Sequence, residues 1–355
     1  MHRHTDFLSA PKTAQLIART GLATCLRGLF DTLSEDFARW PDFEKSARVA
    51  SHSPGGVIEL MPTANARDYA FKYVNGHPGN TARGLPTVMA FGCLADVATG
   101  MPRFLCDLTL ATALRTAATS ALAAHHLARP DSRSMALIGA GSQAEFQALA
   151  FTSLLGIKEL RVFDPDPAAL AKLTANLLHA GLERAQILAC TSASQAVQGA
   201  DIVTTATAAK RHAEVIHDTD IAPSTHINAV GGDCPGKTEL PLALLQRARL
   251  FVEFPPQTRI EGELQLLPAD AAVTELWQVI TGQAPGRSDA AQITLFDSVG
   301  FAIEDYSTLR YLHRLAGESG LLDKLALVPH LSDPRDLYRL LREARHAGEE
   351  IVDTL

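Results

Sequence analysis

Met135-Ala-Leu-Ile-Gly-Ala-Gly-Ser-Gln-Ala-Glu145 decides the fold of this 355-residue chain. An apolar run of strand character ends at Ile138, Gly-x-Gly-x-x-Ala follows at once, and a helical pattern occupies 145–155. A dinucleotide-binding turn requires that order: Gly139 permits the tight turn, Gly141 lets backbone approach a pyrophosphate, and small Ala144 lets helix and strand pack closely. Ser142 and Glu145 are spaced as a capping box that marks the helix start. Alone this run is a weak signal, because glycine and alanine are common in turns. Asp164 strengthens it, closing a second strand-like run (160–163) 25 residues after Gly139, near the distance at which an acid accepts ribose hydroxyls. Pro165-Asp166-Pro167 follows without arginine, so a 2′-phosphate would meet two carboxylates and no fixed cation. The expected cofactor is NAD rather than NADP. The other reading of Asp164 is an N-cap for the next helix.

Outward from this stretch the two periodicities alternate. A helical pattern covers 167–179, and strand-like runs recur at 187–190, 202–205, 227–230, 250–253 and 293–296, with helical segments between several of them. Strands alternating with helices of this length predict a parallel sheet covered on both faces. Upstream the character changes. Residues 11–37 space Leu16, Ile17, Leu22, Leu26, Leu29, Phe30 and Leu33 as an amphipathic helix. Runs at 57–60, 69–74 and 87–91 are strand-like and separated by Gly, Pro and Asn. An Ala/Leu-rich helix over 108–127 leads out of this region, and 301–318 and 335–346 read as helices. The N-terminal part is too small and open-edged to be complete alone, so the C-terminal tail is expected to pack back onto it. The expected architecture is α/β: a doubly wound parallel-sheet domain over 116–315, beside a smaller α+β domain formed by 1–115 with 316–355.

Composition narrows the classes. Lys plus Arg number 32 against 39 Asp plus Glu, a net −7, with 46% hydrophobic and 20% charged residues. These are values of an ordinary globular protein, and the acidic balance without a Lys/Arg cluster argues against a nucleic-acid partner. Cys25, Cys93, Cys106, Cys190 and Cys234 are scattered without a CxxC pair, so neither a disulfide scaffold nor a cysteine zinc site is expected, and a reducing cytoplasm suits them. The first residues lack the apolar run of a signal peptide. No stretch of about 18 apolar residues would cross a bilayer. The histidines show no HExxH spacing, and no metal is expected.

Asn228-Ala-Val-Gly-Gly-Asp-Cys-Pro-Gly-Lys-Thr-Glu239 follows a strand of the parallel sheet and so lies at its carboxyl edge, where doubly wound folds bind ligands. Gly231-Gly232 and Pro235-Gly236 bracket Asp233 in a turn. From there its carboxylate can project into a cleft and shuttle protons at a reacting amine, or stabilise its own turn. Three cations stand among small or apolar neighbours: Arg48 in Ser-Ala-Arg-Val-Ala-Ser, Lys72 inside an aromatic strand, and Arg115 in a helix of Ala, Thr and Leu. Burying such charges demands compensation. A substrate carboxylate supplies it in one reading, with arginine as the bidentate fork; solvent or an internal ion pair does so in the other, and Glu59 is an available partner.

Taken together, Gly139-Ala-Gly-Ser-Gln-Ala-Glu-Phe146, the 228–240 run, Ala70-Phe-Lys-Tyr-Val-Asn-Gly-His-Pro-Gly-Asn-Thr-Ala-Arg83, Ala111-Thr-Ala-Leu-Arg-Thr-Ala-Ala118, Pro256-Gln-Thr-Arg-Ile-Glu-Gly262 and Phe296-Asp-Ser-Val-Gly-Phe301 resemble the ornithine cyclodeaminase/μ-crystallin family. The likeness spans nearly the whole chain and is strongest to the bacterial-type ornithine cyclodeaminase branch. It implies a Rossmann-type domain with a substrate domain whose sheet also makes a homodimer. It implies an ammonia-lyase that turns L-ornithine into L-proline and ammonia: bound NAD takes a hydride from Cα, the imine cyclises, and the hydride returns. Carried over by position, Arg48, Lys72 and Arg115 would hold the α-carboxylate with Thr87 in the same pocket. Asp233 would manage protons with Glu59 nearby, and Lys237 would support them. Gly139, Gly141, Ser142, Gln143, Ala144, Asp164, Thr116, Thr205, Asn228, Val230 and Ser298 would contact NAD. The rivals are a lysine cyclodeaminase, whose pocket differs by one methylene worth about 1–3 kcal/mol, an NAD(P)-dependent ketimine reductase or amino-acid dehydrogenase, and a non-catalytic binding protein that has no need of Asp233.

Overall fold

The computed structural model describes residues 4–208 and 212–344, whose strands fall into two eight-stranded sheets. β1 (Thr5–Leu8) leads into α1 (Ala10–Thr20) and α2 (Leu22–Ala38). The pattern over 11–37 is therefore two helices. Gly21 ends the first, its N–H donating to the Ile17 carbonyl at 2.9 Å, and Leu16, Leu26, Leu29 and Leu33 still share one core.

β2 (Glu44–Lys45), β3 (Val49–Ser53), β4 (Gly56–Ala64) and β5 (Asp68–Gly76) follow. Side chains of a strand alternate between faces. Glu59 and Met61 on β4 and Ala70, Lys72 and Val74 on β5 therefore turn inward, while Ile58, Leu60, Tyr69 and Tyr73 turn out. The expected strand over 87–91 instead begins at β6 (Ala90–Asp96). The Asn75 side chain takes the Met89 N–H at 2.7 Å, which holds the preceding residues as a loop. β7 (Pro102–Asp107) closes this stretch, and α3 (Thr109–Leu127) follows. α3 is buried on almost every side, and its alanines let neighbouring helices approach closely.

The second sheet begins with β8 (Ser134–Ile138), α4 (Ala144–Leu155), β9 (Glu159–Phe163), α5 (Pro167–His179), β10 (Ile187–Ala189) and α6 (Ala193–Val197). It continues through β11 (Ile202–Thr205), β12 (His226–Ala229), α7 (Leu242–Arg247), β13 (Arg249–Val252), α8 (Pro255–Glu261), β14 (Thr274–Glu275), α9 (Leu276–Ile280) and β15 (Thr294–Asp297). All pairings are parallel, in the order β10-β9-β8-β11-β12-β15-β13-β14. The winding reverses between β8 and β11, and a crevice opens at the carboxyl ends there.

α10 (Ala302–Glu318) and β16 (Asp323–Leu325) return to the first sheet. α10 lies on β4, β5 and β6 and against α2, and β16 pairs antiparallel with β1. Residues 302–315, grouped by sequence with the nucleotide-binding part, thus pack on the first sheet, where Ile303, Tyr306 and Leu309 find an apolar cover. The helix expected over 335–346 is confined to 339–344 among the described residues. Asp333 and Asp336 instead bond the N–H groups of Arg335 and Arg339 at 3.0 and 3.2 Å, and so hold turns; 345–346 lie outside the described residues. Among the described residues no helix is long and apolar enough to cross a membrane.

Candidate active site

Gly139 opens the crevice with φ +105°, and a Cβ there would lie 2.6 Å from the Ala206 carbonyl oxygen, so both backbone and space demand glycine. Nothing stands within 4 Å of a Cβ built on Gly141, which leaves that backbone open to a ligand at the N-terminus of α4. The Ser142–Glu145 capping box does not form. Gln143 is the N-cap without a side-chain bond, and Glu145 reaches Lys172 and Asn176 at 2.8 Å each. Asp164 sits beside the turn: Oδ2 accepts the Ala140 N–H at 2.7 Å and Oδ1 the Asp166 N–H at 2.8 Å. The N-cap of α5 is Asp166, which accepts from Ala168 at 2.9 Å. Lys172 also reaches the Gly141 carbonyl at 3.2 Å. It is a cation near the turn that the local sequence after Asp164 does not reveal, and its charge faces Glu145.

At the strand ends, Thr204 Oγ1, Thr205 Oγ1, Asn228 Nδ2 and Gln143 Oε1 are buried without a hydrogen-bond partner. Native proteins rarely leave buried polar atoms unpaired, so these orphans fit a polar ligand lying across the crevice, as a dinucleotide would. Burial holds His226 down to about 3 and hence neutral. Its Nε2 meets Asn228 Oδ1 at 3.2 Å, which leaves the Asn228 amide N–H groups for a ligand. Val230 N–H donates to the Thr205 carbonyl and Ser298 N–H to that of Ala229, each at 2.9 Å. Thr116 is buried on α3 next to Arg115.

Arg48, Lys72 and Arg115 come from a loop, from the inner face of β5 and from α3, and they converge. Arg48 Nη1 donates to Glu59 Oε2 at 3.0 Å, and its Nη2 to the Val299 and Gly300 carbonyls at 2.5 and 2.8 Å. Its Nε lies 3.0 Å from Glu261 Oε2. Lys72 Nζ donates to Asp305 Oδ1 at 2.8 Å, and Arg115 Nη1 to Glu304 Oε2 at 2.7 Å. The three side chains are only 6%, 1% and 7% exposed. The two arginines meet at Gly300, at φ +75°, where a Cβ would stand 2.6 Å from Arg115 Nη1, and Lys72 joins them through Asp305 Oδ1, which lies 3.2 Å from Arg115 Nε. Of the two compensations open to these cations in the sequence, the internal one is present: each is paired with protein carboxylates. Burial, and then repulsion from Arg115, brings Lys72 down to about 8 against the pull of Asp305.

The turn bearing Asp233 rests on this cluster, since a Cβ on Gly232 would lie 3.4 Å from Gly262 Cα and 3.5 Å from the Glu261 carbonyl. Asp233 is 51% exposed and pairs with Lys237 at 3.2 Å. Lys237 is itself buried and donates to the Thr207 carbonyl at 3.0 Å. The charge of Asp233 is felt by both Arg48 and Glu261. Burial, with Glu59 and Asp233 adding to it, pushes Glu261 up to about 7 although Arg48 opposes the shift. Such a carboxyl exchanges protons near neutrality.

Thr87 lies on the loop before β6, its carbonyl accepting from His77 at 2.9 Å, and among the described residues no hydrogen bond joins it to the three cations. Glu253, Glu261, Glu304, Asp305 and Gly300 escape the sequence reading. For Glu253 and Glu261 the signal available was an acid beside apolar residues, in Phe-Val-Glu-Phe and Arg-Ile-Glu-Gly, which local pattern does not separate from surface acids.

Residues 12–319 match the model of the ornithine cyclodeaminase/mu-crystallin family. The chain is 56% identical over 335 residues to an ornithine cyclodeaminase of Brucella suis, covering 94% of this chain and 93% of that protein. Among solved structures it is similar to a lysine cyclodeaminase studied for recognition of L-lysine, L-ornithine and L-2,4-diaminobutyric acid, with a TM-score of 0.88, 33% identity and coverage of 94% and 99% of the two chains. An archaeal alanine dehydrogenase dimer with bound NAD matches with a TM-score of 0.83 and 28% identity, over 92% of this chain and all of that one. A single pattern of glycine turn, cationic cluster and Asp233 loop thus runs through one continuous match, and the chain belongs to the ornithine cyclodeaminase/mu-crystallin family.

Proposed function

We propose that this protein is an ammonia-lyase that converts L-ornithine to L-proline and ammonia with catalytic NAD. The observation that carries the reading is the convergence of buried Arg48, Lys72 and Arg115 at the carboxyl edge of the parallel sheet, where the two arginines share the Gly300 backbone and Arg115 and Lys72 share Asp305. The 56% identity to the Brucella suis enzyme supports the substrate, and the NAD-bound neighbour supports the cofactor. When bound, NAD supplies the redox chemistry by taking a hydride from Cα and returning it after ring closure.

The chain's own residues do the rest. Glu59, Glu261, Glu304 and Asp305 neutralise the cluster. The α-carboxylate is therefore recognised by directed N–H groups of Lys72, Arg48 and Arg115 rather than by excess positive charge. Each ammonium of a diamino acid must shed a proton before it reacts. Asp233 serves one, and the Glu59–Glu261 pair clamped on Arg48 serves the other. The departing ammonia takes a proton back from the same groups. The reaction requires the cyclising imine to be held in place and shielded from the water that would hydrolyse it. Asp164 holds the adenosine ribose, Gly139–Ala144 the pyrophosphate, and Thr116, Thr205, Asn228, Val230 and Ser298 the nicotinamide half; Lys237 steadies Asp233, and Thr87 completes the wall.

Lysine is the second substrate to weigh, because the lysine cyclodeaminase superposes over 94% of this chain. One assay separates the readings: L-ornithine or L-lysine with a trace of NAD+, followed for ammonia, cyclic imino acid and absorbance at the reduced-nicotinamide band. Proline and ammonia without net NADH support the proposal. Pipecolate from lysine alone moves the substrate, and accumulating NADH makes the protein a dehydrogenase. We further propose a homodimer through the outer face of the first sheet, where Ile58, Leu60, Tyr69 and Phe91 are exposed, and a cytoplasmic setting in which the buried thiols of Cys25, Cys93, Cys106 and Cys190 stay reduced.

A further inference from the structure

Glu253 follows β13 and is fully buried, yet no cation pairs with it among the described residues. Its Oε1 accepts the Ser298 hydroxyl at 2.7 Å and the Gly300 N–H at 3.3 Å, while Oε2 has no hydrogen-bond partner. Those two donors flank the turn on which the site is hung. Ser298 lies at the carboxyl end of β15, and the Gly300 carbonyl accepts from Arg48 at 2.8 Å and from Gln257 at 2.7 Å. The same turn lies against the Arg115 guanidinium. One acceptor oxygen therefore fixes a strand-end hydroxyl and a left-handed glycine together.

We propose that Glu253 is the positioning residue that joins the cofactor half of the site to the carboxylate-binding half, by accepting from Ser298 and Gly300 at once. Because the Ser298 hydroxyl donates inward to Glu253, its oxygen is left to accept from a ligand in the crevice. The anchored Gly300 keeps Arg48 and Arg115 in register with that ligand. Burial and the nearby charges of Glu304 and Asp297 push the Glu253 carboxyl up to about 8, and glutamine, which keeps the acceptor oxygen without a charge, is its closest mimic. This role rests on the reading of Ser298 as a nicotinamide-side residue of an ornithine-processing site.

The test uses full-length Glu253→Ala, Glu253→Gln and the double variant with Ser298→Ala. NAD+ affinity is measured by calorimetry without substrate, KM and kcat with L-ornithine, and folding by thermal melting. Loss of the acceptor in E253A is expected to weaken NAD+ binding and raise the ornithine KM by about tenfold each, with kcat changed less. E253Q restores most of both, and S298A added to E253A weakens NAD+ no further. Wild-type affinity and KM in E253A overturn the proposal, as does an E253Q that melts like wild type but binds no better than E253A. Wild-type protein that binds NAD+ yet leaves ornithine untouched overturns the functional reading alone, since the cofactor titration still reads Glu253.

Discussion

Two arginines from distant parts of the chain share the backbone of Gly300, one through its carbonyl and one packed where a side chain would be. Gly300→Ala is expected to strain a left-handed residue and displace Arg115. Loss of about 1–3 kcal/mol of stability should accompany a raised KM, and a variant with wild-type melting and KM would show that the turn relaxes freely. Asp233 stands at the exposed side of the cluster and, among the described residues, pairs with no charged group but Lys237, so its removal should spare the fold. Asp233→Asn should lower kcat by about a hundredfold or more while NAD+ binding persists; near-normal turnover would remove it from proton handling. Asp164 bonds Ala140, and the proposed function gives it the ribose as well. Asp164→Ala is expected to weaken NAD+ about tenfold, and unchanged affinity by titration would reject the ribose role.

At the scale of elements, alternation along β4 and β5 explains why one sheet serves two purposes. Its inner positions carry Glu59 and Lys72 to the site, and its outer positions carry Tyr73, which stacks on Phe91 at 5.1 Å, with Ile58, Leu60 and Tyr69 nearby. A contiguous apolar sheet face is poorly suited to water and well suited to a second copy. Phe91→Asp should therefore convert a dimer to a monomer in sedimentation analysis without unfolding it. A wild-type mass for the folded variant would place the dimer contact elsewhere.

For the whole molecule, the unusual feature is the number of carboxyls buried without full compensation. Glu253 and Glu263 are pushed up to about 8, and Glu261 and Asp297 to about 7, burial being the first cause in each. The ordinary values are 4.5 for Glu and 3.8 for Asp. Between those values and 7–8 the folded chain binds protons that the unfolded chain has released, so stability falls as pH rises through that window. Lys72, lowered from 10.5 to about 8, acts oppositely above pH 8, and His226, lowered from 6.5 to about 3, acts oppositely between those two values, one group against four acids. Asp6 and Asp201, lowered from 3.8, withdraw stability as pH drops below that value. The melting temperature is expected to be highest near pH 5 and to decline towards pH 8, less steeply in Glu253→Gln; calorimetry showing a rise from pH 5 to 8 would contradict the burial of these acids.

The turn at Gly139, the alternation of strands and helices, and the Asp233 loop were legible in the chain because each depends on neighbours in sequence: a backbone conformation, a periodicity, a bracketed turn. The break at Gly21, the loop at 87–89 and the turns at 333–338 before the helix that begins at 339 escaped because side-chain and backbone hydrogen bonds compete there with the apolar pattern. Glu59 was in view as a partner for these cations and pairs with Arg48, but the other partners of Arg48, Lys72 and Arg115 lay further off. Glu261, Glu304 and Asp305 stand roughly 190–230 residues away from the cations they meet, and no local rule links charges so distant. Sequence alone thus determined the nucleotide-binding frame and the residue types available for chemistry. Only tertiary structure decided which charges neutralise one another, because the compensation of a buried ion depends on what packing brings within a few ångströms of it, not on what precedes it in the chain.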